Sequence, residues 1–198
     1  MNDFPDGWWR GAVRRASPNV DARAPGSVVD LLVIHAISLP PGEFGGPFID
    51  ALFQNTLLEG SHPGLEGLAG VRVSAHFLVR RTGETLQYAD VRARAWHAGI
   101  SAFAGEDGCN HRSLGIELEG TDSSGFSRAQ YEALVPLCCA LMEAFPALSL
   151  GRIVGHAEIA PGRKTDPGPH FDWIRFRAAL IGALMRGTQP WRVVTGWQ

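Results

Sequence analysis

The sequence predicts an α/β fold in a single domain, with a central mixed β-sheet flanked by α-helices. Three observations carry that prediction. Short apolar runs of strand length alternate with longer segments whose apolar residues recur at helical spacing. One pair of runs is joined by a tight glycine turn, so at least one pair of strands is antiparallel. The 198 residues are 45% hydrophobic and 19% charged, which suits one globular core. No repeat, low-complexity tract or linker divides residues 1–198, and the expected domain runs from about 8 to 186 with a tail at 187–198.

After an irregular start, residues 28–35 read as a buried strand, β-branched and apolar between Gly26 and Pro40, which places His35 at a strand end. The segment 39–47 is too rich in proline and glycine for regular structure; a short helix is expected at 48–58 and a second loop at 59–70. Residues 72–80 and 85–88 flank Thr82-Gly83-Glu84 as a hairpin. From 89 to 111 the chain reads as mostly loop, and loops of that length in compact domains are commonly functional. Residues 113–119 alternate apolar and polar, the mark of another strand.

Ser127 and Gln130 form a capping-box pattern, and Tyr131, Leu134, Val135, Cys138, Leu141, Met142 and Phe145 share one helical face until Pro146. Cys138 therefore faces the core. A strand around Ile153 and Val154 delivers His156, and Asp172 caps a last helix whose inner face carries Trp173, Phe176, Leu180, Ile181 and Leu184. The tail, with Trp191 and Trp197, takes no assignment.

A formal net charge of −2 gives no basic field for nucleic acid or an anionic membrane, so any anionic ligand must meet local arginines. No apolar run approaches the ~20 residues of a membrane span, and the N-terminus lacks the pattern of a secretory signal. Three cysteines, two of them adjacent and none in a CxxC pair, point to a reducing, cytoplasmic setting.

His35, His156 and Asp166 meet the inventory of a catalytic zinc site, which commonly takes three protein ligands and leaves a fourth position for water. Taken singly, each has a plainer reading: a satisfied polar group after an apolar strand for the histidines, a turn residue before Pro167 for Asp166. Glu117 is ambiguous between a solvated strand face and a cleft, and Lys164 alone is an ordinary surface lysine.

Three sets of residues change that weighting. They are Leu32-Val33-Ile34-His35 with 37–47; Arg72-Val73-Ser74-Ala75-His76 with Arg94-Ala95-Trp96-His97-Ala98-Gly99; and Gly115-Ile116-Glu117-Leu118-Glu119-Gly120-Thr121-Asp122 with Arg163-Lys164-Thr165-Asp166-Pro167-Gly168-Pro169. Together they resemble the AmpD branch of the zinc amidases, the family that includes phage T7-type lysozyme and the peptidoglycan recognition proteins, from about Trp8 to Leu180. The resemblance implies a peptidoglycan-recognition-protein-like amidase fold, one Zn2+ per chain on His35, His156 and Asp166, Glu117 as acid/base, and Lys164 as the partner of the oxyanion. The implied substrate is an anhydro-muropeptide, cut between the lactyl carbonyl and L-alanine in cell-wall recycling; a monomer is expected, although no sequence feature fixes the oligomeric state. Arg72 would hold a peptide carboxylate, and Ala95 and Trp96 would line the cleft. His76 and His97 are expected either to pack or to orient the site.

Two positions depart from the pattern. Ala36 stands where members usually have Asn, and Gly108 precedes Cys109-Asn110 where many carry Arg, so peptide recognition is expected to differ here. A muropeptide-binding module without activity is the alternative; binding-only relatives typically lose a metal ligand, and this chain keeps all three.

Overall fold

Ten strands and four α-helices make up residues 3–187, which the computed structural model describes; the tail with Trp191 and Trp197 lies outside the described residues. In chain order the strands are β1 (Val13–Arg14), β2 (Val20–Ala22), β3 (Leu31–Ile37), β4 (Phe77–Val79), β5 (Thr85–Gln87), β6 (Ala93–Ala95), β7 (Ala102–Phe103), β8 (Glu106–Asp107), β9 (Ser113–Glu119) and β10 (Ile153–Gly155). The helices are α1 (Phe48–Phe53), α2 (Arg128–Ala144), α3 (His156–Ile159) and α4 (Trp173–Met185).

The main sheet has the order β1-β5-β4-β9-β3-β10. Its only antiparallel neighbours among the described residues are β4 and β5, the expected hairpin; the other pairs are parallel, so the sheet is mixed as predicted. β3 lies between two strands and its first five residues are buried on both faces, which is why its sequence reads as a near-continuous apolar run.

Alternation sorts the sheet's two faces. Leu32 and Ile34 of β3 and Leu114, Ile116 and Leu118 of β9 pack with α2 and α4 through Leu134, Leu137, Cys138, Leu141, Phe176 and Leu180. Each such side chain contributes roughly 1.5–3 kcal/mol on burial. The opposite face carries His35, Glu117 and Glu119, flanked by a second apolar cluster under α1 and a third beside β10.

The start of α2 is fixed to the sheet by its cap. Ser127 Oγ accepts from Gln130 N (3.2 Å) and Gln130 Oε1 from Ser127 N (2.9 Å), while Gln130 Nε2 donates to the carbonyls of Val79 (3.1 Å) and Glu119 (2.9 Å).

Three expectations need correction. α1 stops at Phe53 rather than continuing to 58, because Asn55 takes a left-handed φ of 59° and turns the chain, although Leu57 still packs beside Leu52 and Phe53. The first strand of the hairpin is Phe77–Val79 rather than 72–80, because residues 72–76 lie outside the ladder; 89–111 is mostly loop as expected, with β6 pairing β2 and β7 pairing β8 inside it. Ile181 points outward from α4, as do Ile174 and Met185, while Phe176 and Leu180 are its buried residues. No described helix is long and apolar enough to cross a membrane.

Candidate metal centre

The register of the sheet brings the site together. His35 of β3 lies directly beside Glu117 of β9, and Gly155 at the end of β10 pairs with Ile34, so His156 follows at the level of His35. Three residues more than a hundred positions apart at the extremes thus form one row across the C-terminal ends of parallel strands, the usual place for a site in such sheets. Asp166 arrives on the loop after α3, where its carbonyl accepts from Ala157 N at 2.9 Å. Gly155 permits that approach, for a Cβ there would stand 2.7 Å from Pro167.

His35 Nδ1 lies 2.9 Å from His156 Nδ1 and 3.2 Å from Asp166 Oδ2, and His156 Nδ1 lies 3.1 Å from the same oxygen. The outer nitrogens have other partners. His156 Nε2 is 3.1 Å from the carbonyl of Ala98; a carbonyl only accepts, so Nε2 carries the proton and Nδ1 a lone pair. His35 Nε2 meets His97 Nδ1 at 2.9 Å, and His97 Nε2 meets Ser113 Oγ at 3.2 Å, a chain that allows His35 the same tautomer. With both histidines in that tautomer, two lone pairs and a carboxylate oxygen converge, which is repulsive unless a cation lies between them. The separations are close to the edge of about 3.4 Å for a tetrahedron of N/O ligands on zinc, so the donor set fits that ion.

Burial favours the neutral form of His35, His76 and His97, the form in which a histidine ligates metal. Burial pushes His35 down to about 4 against the pull of Asp166. It also pushes His76 down to about 3, aided by Arg23, and holds His97 well below the usual histidine value with help from its neighbours His35 and His76. His97 is accommodated because residue 115 is glycine; a Cβ there would stand 2.5 Å from the His97 ring. His76 accepts from Gly115 N through Nδ1 (3.0 Å), bracing the same strand.

Glu117 is buried, and its Oε2 has no hydrogen-bond partner. Burial raises its pKa well above the usual glutamate value, the nearby Asp166 charge adds to that, and Lys164 opposes it. Glu119, on the same face, is taken up elsewhere by Gly45 N, Arg81 N (3.1 Å) and Arg80 Nη1 (3.4 Å).

A cleft of about 200 Å³ opens over these groups. His35, His156, Asp166, Glu117, His97, Ser74 and the exposed Lys164 are its polar lining, and Ala36, Ile37, Phe53 and Val73 its apolar lining. Ala36 thus sits in the lining. Gly108 lies on the loop before β9, at a φ of 73°, outside the described lining. Arg72 is exposed and precedes the lining residues Val73 and Ser74 in the chain, outside the lining itself. Ala95 is fully buried in the β6–β2 ladder, paired with Val20, and Trp96 is half-buried with its carbonyl accepting from Ser74 N at 3.1 Å; both lie outside the lining. Sequence reasoning missed Phe53, Ser113 and the Ala98 carbonyl. Only Gly115, a bare position inside a strand, signals that something packs closely there.

Residues 25–169 match the N-acetylmuramoyl-L-alanine amidase family, and the chain belongs to that family. Within it the chain is of the AmpD type. It is 53% identical over 175 residues to the 1,6-anhydro-N-acetylmuramyl-L-alanine amidase AmpD of Citrobacter freundii, covering 88% of this chain and 93% of that one. Its fold superposes on the crystal structure of a selenomethionine AmpD derivative with a TM-score of 0.87 at 51% identity, over 89% and 98% of the two chains. A more distant likeness, with TM-score 0.59 and 30% identity over 79% and 60% of the chains, is to the amidase AmiD of E. coli, solved with its substrate anhydro-N-acetylmuramic acid-L-Ala-D-gamma-Glu-L-Lys.

Proposed function

We propose that the chain hydrolyses the amide between the lactyl group of 1,6-anhydro-N-acetylmuramic acid and L-alanine in muropeptides, as a zinc enzyme of cytoplasmic peptidoglycan recycling. The observation that carries this reading is the convergence of His35, His156 and Asp166 beside the unpartnered Glu117 Oε2, in a chain so extensively similar to AmpD. All of these groups come from one chain, so the site needs no residue from a second copy, as the expected monomer requires. Its three cysteines are free and buried, which supports a reducing compartment.

His35, His156 and Asp166 would hold zinc, which when bound would supply a Lewis acid able to acidify water and polarise the substrate carbonyl. Glu117 Oε2 takes the proton from the attacking water and delivers it to the alanine nitrogen as the C–N bond breaks. Lys164, in the polar lining of the cleft, offsets the charge that develops on the carbonyl oxygen. Ile37, Phe53 and Val73 add an apolar lining that limits water. The exposed Arg72, one residue before the lining residue Val73, would meet a peptide carboxylate, and Ala95 and Trp96 would support the site without lining it.

The test is to supply the zinc-loaded chain with anhydro-muropeptide and to identify products. Release of free peptide with an L-alanine N-terminus is expected, abolished in Asp166→Ala and Glu117→Ala. Binding without release would favour a recognition module, and a product retaining the lactyl-alanine linkage would indicate a peptidase.

A further inference from the structure

We propose that Arg163 is a positioning residue that fixes the metal-facing nitrogen of His156 by stapling the 98–100 loop to the loop bearing Asp166. The inference rests on the zinc reading above. Arg163 Nη2 donates to the carbonyls of Ala98 (2.6 Å) and Ile100 (2.6 Å), and Nε donates to Ile100 again (3.0 Å). Gly99, at a φ of 58°, separates the two carbonyls, and its left-handed conformation is one that other residues adopt only with strain.

The Ala98 oxygen is the atom that accepts from His156 Nε2. Arg163 Nη2 also lies 3.4 Å from that nitrogen. A guanidinium has no acceptor, so with Nε2 protonated the two N–H groups share one oxygen rather than bond each other. The opposite tautomer would set a bare Nε2 lone pair against the carbonyl and would turn an N–H towards the metal position. Arg163 decides against it by holding the Ala98 oxygen where both N–H groups meet. Arg163 thus ties together His156 and the segment that carries Lys164 and Asp166. A lysine lacks the Nε–H that bonds Ile100 a second time, and its Nζ ends one bond short of Nη2, so it keeps only part of this set.

The test compares the wild type with Arg163→Gln and Arg163→Lys, and uses Gly99→Ala as an independent perturbation from the loop side. Zn2+ affinity is measured by chelator competition, the His156 tautomer by 15N NMR of the metal-free chain, and folding by circular dichroism. Arg163→Gln and Gly99→Ala are expected to lose roughly 10–100-fold in zinc affinity, the range for removal of groups that orient metal ligands, and to show a mixed His156 tautomer with the fold retained. Arg163→Lys should recover only part of that affinity. Wild-type affinity and a pure Nε2–H tautomer in Arg163→Gln would overturn the proposal, as would full recovery by lysine. If Arg163→Gln does not fold, the Lys and Gly99→Ala variants decide by the same two readings. A wild type that takes up no zinc would overturn the metal reading itself, and this proposal with it.

Discussion

Glu117 combines the two properties an amide hydrolase needs from its base: a free oxygen beside the ligand cluster and a pKa moved towards neutrality by burial. That placement has a cost for the fold. Because its folded pKa lies above the unfolded value, the native state holds the proton more tightly. Stability is therefore lost as pH rises from the unfolded value towards the raised one. In the metal-free chain Glu117→Gln is expected to match the wild type in urea unfolding below about pH 4, where both side chains are neutral, and to be more stable at pH 8 by roughly 1–3 kcal/mol. The same variant should lose about 10²–10⁴-fold in kcat, and the acid limb of the wild-type rate should lie above the pH of an ordinary glutamate. An acid limb that survives unchanged in Glu117→Gln would assign it to another group.

Two strands and one cap set where those residues stand. β9 gives one face to α2 and α4 and the other to His97 and Glu117, so its seven residues are all buried although every second one is polar or glycine. Gly115 is the position where this arrangement is most easily disturbed. Gly115→Ala puts a methyl into the His97 ring and is expected to cost about 1–3 kcal/mol in denaturant midpoint, and to lower zinc affinity through the His97–His35 contact. An unchanged affinity would show that His97 only packs. At the start of α2, Ser127→Ala removes the hydroxyl that accepts from Gln130 N and should cost about 1 kcal/mol, read by thermal unfolding, without altering zinc uptake.

The described residues fold around a centre whose donors, with both Nδ1 atoms bare, repel one another without a cation. Zinc should therefore raise thermal stability by mass action, by about 4 kcal/mol when free ion stands at about 1,000 times Kd, and a chelator should reverse the shift. Asp166→Ala is expected to abolish it. Stabilisation of Asp166→Ala by zinc to the same degree would place the ion elsewhere.

Much of this was legible in the order of residues. The run ending at His35, the hairpin glycine, the capping box at Ser127 and Gln130, and the break at Pro146 are local signals, and each element formed where local chemistry required it. The ligand types were legible too, once His35, His156 and Asp166 were set beside a family resemblance. Local signals failed where neighbours decide. The apolar pattern at Leu57 and Leu58 extends the α1 signal past the turn at Asn55, and alternation in β9 does not tell a solvated face from a buried site. Parallel register put His156, His35 and Glu117 in one row; the Ala98 carbonyl chose a tautomer; burial moved the Glu117 pKa. Those are distances across strands rather than along the chain, and separation in sequence does not encode them.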